Sequence, residues 1–378
     1  MTVESDFLVI GAGMAGASAA AHLALEGTVI LLEAEDQPGY HTTGRSAALF
    51  SEMYGNDTIR GLTRASRAFL FEPPAGFAEA PLVSPRPTMY FARADQIAAL
   101  HRFRDSPDVA AATELLTAEQ AQALAPVFAP GYLAAAAIER GSADIDVHGL
   151  HQGFLRQLRA RGGAVQLKAG VQAMARRDGR WVVTTPAGEF SAPVVVNAAG
   201  AWADQIALLA GARPVGLKPK RRTALLIEVP EGMDAHAWPA SVDIDEQFYF
   251  KPDAGLLLLS PADEHDSPPC DAQPEELDVA EAVDRFEQAS GRSVRRVKHR
   301  WAGLRVFAAD RTPVIGFDPK VDGFFWLAGP GGYGIQTAPA LGRVTAALAL
   351  GRELPADVAA LGVTTAALSP GRPGLTLE

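Results

Sequence analysis

Three observations predict an α/β fold joined to a second, α+β domain built mainly on an antiparallel sheet. The chain opens with two short apolar runs, Phe7-Leu8-Val9-Ile10 and Val29-Ile30-Leu31-Leu32-Glu33, separated by one helix length. Two more such runs, Val194-Val195-Val196-Asn197 and Phe324-Phe325-Trp326-Leu327-Ala328, lie in the middle and near the end, and each leads into glycine. Between them lie strand-like pieces such as Ala224 to Val229 and Phe248-Tyr249-Phe250, set among proline-rich segments. Apolar runs without polar alternation read as parallel strands buried on both faces. Because they recur at the start, middle and end, the parallel-sheet domain is discontinuous in sequence.

The 378 residues exceed one ordinary core, so two domains are expected. Residues 1–82, 145–213 and 305–378 are assigned to the first, and 83–144 and 214–304 to the second. Taken in order, Phe7–Ile10 is a strand, a helix runs from about Met14 to Leu25, Gly27 stops it, and Val29–Glu33 completes a βαβ unit. Pro73 to Pro87 holds five prolines and cannot be helix or central strand. Asp146 can cap a helix running to about Arg161, with Leu150, Phe154 and Leu158 on one face. Pro261 to Glu276 reads as a polar surface loop, including Asp263-Glu264-His265-Asp266. Val279, Val283 and Phe286 have helical spacing, closed by Gly291.

A net charge of −10 makes nucleic acid an improbable partner on electrostatic grounds. The single cysteine, Cys270, allows no intrachain disulfide and fits a reducing compartment. Phe7 to Leu25 lacks Asp, Glu, Lys and Arg, yet it is preceded by Glu4 and Asp6 rather than by a positive region, and it contains Gly11, Gly13 and Gly16. It therefore reads as strand, turn and packed helix rather than as a signal peptide or membrane span, and a cytoplasmic location is expected. Asp144, Asp146, His148 and His151 read as a helix start with its cap, so no metal site is expected.

Four motifs carry chemistry. In Gly11-Ala12-Gly13-Met14-Ala15-Gly16 the first glycine permits the turn, the second admits a pyrophosphate, and the third lets helix and strand pack. The helix N-terminus offers N–H groups and partial positive charge to phosphate. Glu33, about 20 residues on, can accept from ribose hydroxyls. The second motif is Gly39-Tyr40-His41-Thr42-Thr43-Gly44-Arg45-Ser46, whose donors and hydroxyls suit a cofactor longer than NAD, the chief rival to FAD. The third is Trp301-Ala302-Gly303-Leu304-Arg305. The fourth, Gly329-Pro330-Gly331-Gly332-Tyr333-Gly334-Ile335-Gln336, opens a helix whose N-terminus can stabilise a negative flavin.

These motifs, with Asn197-Ala198-Ala199-Gly200-Ala201-Trp202, resemble in order those of the D-amino-acid oxidase and glycine oxidase superfamily. Within it the chain is similar to the bacterial FAD-dependent D-arginine dehydrogenases, through Pro74-Ala75-Gly76-Phe77, Ser84-Pro85-Arg86-Pro87, Pro219-Lys220-Arg221-Arg222 and Tyr249 to Asp253. The likeness covers nearly the whole chain. It implies non-covalent FAD, with Val171, Ala199, Gly200 and Trp202 added to the cofactor set. It also implies that Arg222 and Arg305 hold a substrate carboxylate, that Tyr249 and Tyr54 line the site, and that Gly332 and Gln336 lie near the substrate amine and the flavin. Ala224 and Leu226 share a strand face with Arg222, so Arg221 should point away to solvent.

The chain departs from those dehydrogenases where an acid receives the guanidinium, since Thr88 stands there, and Leu49 replaces a lid histidine. Glu246 matches an acid of the family's pocket region. The expected substrate is therefore a D-amino acid with a neutral or apolar side chain. It would lose hydride from Cα to flavin N5 and hydrolyse to a 2-oxo acid and ammonia, with oxygen or a quinone as acceptor. Alternatives are another amine such as glycine, sarcosine or proline, a 2-hydroxy acid, or a non-catalytic dinucleotide sensor.

Overall fold

The computed structural model describes residues 2–375. The elements that build the site, in chain order, begin with β1 Phe7–Ile10, α1 Met14–Leu23, β2 Val29–Leu32, β3 Leu49–Phe50 and α2 Asp57–Phe71. β4 Thr88–Ala92, β5 Ala135–Glu139, β6 Ala143–Ile145, α3 Val147–Ala160, β7 Ala164–Gln166 and β8 Val194–Asn197 follow. β9 Lys218–Ile227, β10 Ala240–Asp243, β11 Tyr249–Asp253, β12 Leu256–Ser260 and α4 Glu276–Ser290 come next. β13 Val297–Phe307, β14 Val314–Phe317, β15 Phe324–Ala328 and α5 Gly334–Ala349 close the set.

Six strands form one sheet in the order β7-β2-β1-β8-β15-β14, parallel except at the β14 edge. Side chains alternate between its faces. Phe7, Val9, Leu31, Val196 and Phe325 pack into one core with α1, α3 and α5. Leu8, Ile10, Ile30, Val195 and Trp326 pack into another against Trp181, Val183 and Phe190 of a four-stranded sheet. Both faces are dry, which is why these runs carry no polar alternation. The helix after β6 begins as the sequence predicts: Asp146 Oδ1 accepts from the Gly149 N–H at 2.8 Å, and Leu150, Phe154 and Leu158 are buried.

A ten-stranded sheet contains, in order, β13-β9-β12-β11-β10-β4-β5, antiparallel except where β10 meets β4. One face is apolar and lies under α4, with Met89, Phe91, Ile138, Leu225, Phe250, Leu257 and Phe286 in its core. Residues of opposite parity, Thr88, Tyr90, Arg222, Val242 and Tyr249, line a chamber on the other face. Arg221 obeys the same parity and points toward α4. It pairs there with Glu275 and Asp278 and is mostly buried, where solvent was expected. The charge stays inward because two acids of the covering helix and its cap meet it.

The proline-rich stretch contributes one edge strand, Val83–Pro85, paired to β6. Pro261 to Glu276 departs from the surface-loop expectation. His265–Asp266 pairs with β9, and buried Asp263 accepts from the Thr223 N–H and hydroxyl. The acids are drawn inward by the Arg221-Arg222 pair on the neighbouring strand.

Candidate active site

Two cavities meet between the sheets. The first, about 460 Å³, runs along the carboxyl ends of β1, β2 and β8. It is lined by Gly11, Gly13, Met14, Ala15, Glu33, Arg45, Ser46, Val171, Ala199, Gly200 and Trp202, and at its far end by Gly303, Gly331, Gly332, Gly334 and Ile335. Gly16 lies behind the wall. A Cβ there would sit 1.9 Å from the Gly11 carbonyl oxygen, so its absence lets α1 pack on the turn. Glu33 accepts from the N–H groups of Ala12, at 2.9 Å, and Glu35, at 3.0 Å. The Gly13 cap of α1 has no side-chain capping bond of its own and the first turn carries no acid; Thr43 Oγ1 accepts from the Met14 N–H at 2.9 Å, and the terminus is otherwise suited to phosphate.

Four residues of the expected cofactor set are placed differently from the rest. Gly44 is outside the wall and closes its loop by donating to the Gly39 and His41 carbonyls. The Arg45 guanidinium turns away to the Ala272 and Ala302 carbonyls and Asp271, bracing the loop. Tyr333 faces the second cavity instead. Gln336 also lines the second cavity, but its amide is committed to the protein: Oε1 accepts from the Ser51 N–H, and Nε2 donates to the Ser51 carbonyl and Thr63 Oγ1. Buried amides seek such partners, and here they lie on another segment.

The second cavity, about 660 Å³, shares Ser46, Ala47, Arg222, Tyr249, Arg305, Gly332 and Ile335 with the first. At this junction Arg222 and Arg305 project from adjacent strands, with Gly303 opposite Arg222 in register. Their surroundings differ. Arg305 Nη1 donates to the Tyr54 hydroxyl at 3.1 Å, and among the described residues no carboxylate stands within ion-pair distance of it. Burial works against its charge, but Tyr54 and Tyr249 outweigh that and hold the guanidinium above its ordinary range. Gly332 lets it in, since a Cβ there would lie 3.0 Å from Arg305 Cζ. Arg222 donates to the Asp263 carbonyl at 2.8 Å and pairs with Glu264 at 3.3 Å. Glu264 is shared with Arg311 at 2.8 Å; burial raises its carboxyl, yet the Arg311 bond and charge more than offset this and leave it lowered.

The rest of the chamber is apolar on one side. Met53, Tyr90 and Val109 pack with Phe103, Val242 and Ile244, and all six line it. Thr88 is buried in the wall and donates to Ser142 Oγ at 2.9 Å. Glu246 is exposed and lies at the chamber's edge, in a turn where its φ is 55°. Tyr54 and Tyr333 meet edge to face at 4.6 Å, and burial pushes the Tyr333 hydroxyl up to about 12.

A family model described as FAD dependent oxidoreductase matches residues 6–348. The chain belongs to this DAO family of FAD-dependent oxidoreductases. The uncharacterized oxidoreductase YurR of Bacillus subtilis is 24% identical over 93% of this chain and 97% of its own length. Glycine oxidase from Geobacillus kaustophilus superposes with a TM-score of 0.82 at 20% identity, covering 96% of this chain and 99% of that one. L-proline dehydrogenase from P. horikoshii gives a TM-score of 0.81 at 20% identity, covering 94% and 96%. At that identity the likeness speaks for the fold.

FAD is the cofactor of this DAO-family chain, and the first cavity suits it. His41 lines the cavity with Nδ1 buried and unpartnered, while its Nε2 meets Glu35 at 2.9 Å. An orphaned polar atom in a cavity wall is one a ligand can satisfy. Several chamber residues escaped the sequence reading: Arg60, Arg311, Glu264, Tyr90 and the helical residues Phe103 and Val109. The Asp263-Glu264 run opposite Arg221-Arg222 was the signal for Glu264, through charge complementarity. No described helix is long and apolar enough to cross a membrane.

Proposed function

We propose that this oxidoreductase deaminates D-amino acids with neutral or apolar side chains. The single observation that carries this reading is Arg305: an enclosed guanidinium with tyrosine partners and, among the described residues, no carboxylate, where the two cavities meet. A guanidinium so placed calls for an anionic ligand, and a carboxylate matches its fork. Arg222 supports the same ligand from the adjacent strand, and Tyr54 and Tyr249 close over it. The side chain then points to the wall of Met53, Phe103, Val109 and Ile244, where an aliphatic or aromatic group is buried favourably. Thr88 supplies no charge to a cationic side chain.

In this reading Gly11, Gly13, Met14 and Ala15 hold the pyrophosphate and Glu33 the ribose. Ser46, Gly303, Gly331 and Gly332 surround the ring end. The chain divides into an FAD domain, 1–82, 145–213 and 305–378, and a substrate domain, 83–144 and 214–304. When bound, FAD would supply the oxidising power, as acceptor of the hydride lost from the substrate Cα. The amine must react in its neutral form, and no strong base need be present, so no residue is assigned as general base. The imino acid leaves and takes up water, giving a 2-oxo acid and ammonia.

Anaerobic flavin bleaching with a panel of D- and L-amino acids tests this. D-Leu, D-Met, D-Phe and D-Tyr should bleach rapidly, and their L-forms slowly. Faster bleaching by glycine, sarcosine, proline, lactate or 2-hydroxyglutarate would replace the proposed substrate class.

A further inference from the structure

Behind the chamber wall lies a carboxyl that the proposed reaction does not use. Glu139 ends β5, is 3% exposed, and stands opposite Thr88 in register. Its Oε2 accepts from the Ser51 hydroxyl at 2.6 Å and its Oε1 from the Glu52 N–H at 2.9 Å. Ser51 Oγ also meets the Tyr90 hydroxyl at 3.0 Å and accepts from the Met53 N–H at 3.3 Å. Both Glu139 oxygens therefore act as acceptors toward one short stretch of chain.

That stretch lines the substrate chamber. It follows Ala48, whose φ of 52° is a left-handed conformation costly for a residue with a Cβ. β3 pins its start to Ala143 and Asp144. Its end carries Tyr54, the hydrogen-bond partner of Arg305. Between these points the chain is held by Gln336 on one side and Glu139 on the other.

We propose that Glu139 is a positioning residue for the chamber: its ionised carboxylate, gripping Ser51 and Glu52, holds the segment Leu49–Gly55 so that Tyr54 meets Arg305, and taking up a proton loosens that hold. The chemistry is direct. A carboxylate offers two acceptor oxygens, whereas a carboxylic acid offers a donor where Ser51 now donates. Protonation weakens both oxygens as acceptors, and where the new O–H meets the Ser51 oxygen that hydroxyl must turn, disturbing its contacts with Tyr90 and the Met53 N–H. The switch falls in a useful range, because burial pushes the Glu139 carboxyl up to about 7, against the pull of its Ser51 and Glu52 bonds.

The charges around it are few. Glu52, on the held segment, raises the carboxyl further, and Arg67 of α2 lowers it. Arg67 and Arg64 both pair with Glu52, at 3.1 and 3.7 Å. From β4 comes the Tyr90 hydroxyl, itself held well above its ordinary value by burial and by Glu139. On its own strand's continuation, Arg140 pairs outward with Glu114 at 2.8 Å. Gln336 and Thr88 complete the surroundings without charge.

Hydrogen exchange of residues 49–55 in the FAD-loaded, substrate-free protein tests the proposal without reference to any reaction. Corrected for intrinsic rates, protection should fall roughly tenfold between pH 8 and pH 6, as the ionised fraction drops through its midpoint. Glu139→Gln should show the low protection at both pH values. Arg67→Gln, a change at a half-exposed side chain, should move the midpoint upward while leaving the high-pH limit intact. Equal native protection at pH 6 and 8, or a Glu139→Gln variant that keeps the pH step, would overturn it. So would an unmoved midpoint in Arg67→Gln, the arm that decides if Glu139→Gln does not fold. A second readout rests on the proposed function: kcat/KM for D-Leu should carry the same step. If no amino acid is turned over, the reaction has been misread, and the exchange result still decides the role of Glu139.

Discussion

The two cavities share seven lining residues but are built by opposite means. The cofactor cavity is walled largely by main chain: glycine turns after β1 and before α5, and the loop from Gly39 to Ser46. Of its charged side chains away from the junction, Glu33 accepts from two N–H groups and keeps lone pairs for a ligand, and Arg45 is spent on carbonyls and Asp271. The chamber is walled by side chains from strands and helices far apart in sequence, and among the described residues Arg305 there has no anionic partner. On the proposed function, one wall would recognise its ligand by backbone shape and the other by side-chain chemistry. A change in the first should therefore register as lost packing or lost cofactor, and a change in the second as lost or altered turnover in a stable protein.

The sharpest test of that contrast is Arg305→Ala. It should lower kcat/KM for D-Leu by about 2–5 kcal/mol, the usual consequence of removing one side of an enclosed charge pair. FAD content and melting temperature should stay near those of the native protein, because no described carboxylate loses a partner. Arg222→Ala should cost less in turnover and more in stability, since Arg222 also serves Glu264 and the Asp263 carbonyl. Unchanged kcat/KM in both variants would remove the pair from the substrate site.

Gly16→Ala probes the other wall. The added Cβ would press into the Gly11 carbonyl at 1.9 Å, against backbone that has no rotamer to yield. Overpacking of this kind costs roughly 1–3 kcal/mol. Its signature should be a lower melting temperature and weaker FAD retention, with kcat per bound flavin little changed. A variant that keeps its FAD and stability but loses turnover would contradict the division between the walls. Acid precipitation supplies a companion observation: the yellow colour should pass into solution, since Cys270 and its loop offer no covalent link.

The same contrast explains how far the sequence could be read. Gly11 to Gly16, Glu33 and the glycine cluster before α5 act within a few residues of themselves, so spacing marked these parts of the first cavity, while Val171, Ala199, Gly200 and Trp202 came from the family likeness. Strand parity separated Arg222 from Arg221 correctly. It could not foresee the acids of α4 and its cap that turn Arg221 from solvent into a buried pair. Phe103 and Val109 come from short helices, and Glu264 from a stretch that looks like any polar loop. Their meeting depends on tertiary pairing, and no local pattern records it. Gln336 was placed near the site from the family likeness. The structure adds that its amide is already occupied by Ser51 and Thr63.

The smallest expected effect bears on the chamber's selectivity. Thr88 lies in the wall beside Tyr90, with its hydroxyl donated to Ser142 and its Cα paired with that of Glu139. If the native chamber favours apolar side chains because this position lacks charge, Thr88→Glu should raise the kcat/KM ratio of D-Arg to D-Leu by roughly tenfold, or about 1.4 kcal/mol. A charged partner for an enclosed guanidinium is worth at least that much. The gain is limited for a stated reason. The new carboxylate would face Glu139 across the strand pair, and like charges so placed each favour the protonated form. The improvement toward D-Arg should accordingly grow as pH rises above neutrality, where both acids can ionise. Some stability should be lost with the Ser142 hydrogen bond, on the order of 1 kcal/mol. Kinetics with D-Arg, D-Lys, D-Leu, D-Met and D-Phe at pH 7 and 8.5 would decide. A native preference for D-Arg or D-Lys would assign that selectivity to Glu246 at the chamber's edge. A Thr88→Glu variant that gains nothing toward the basic substrates would show that position 88 does not meet the side chain at all.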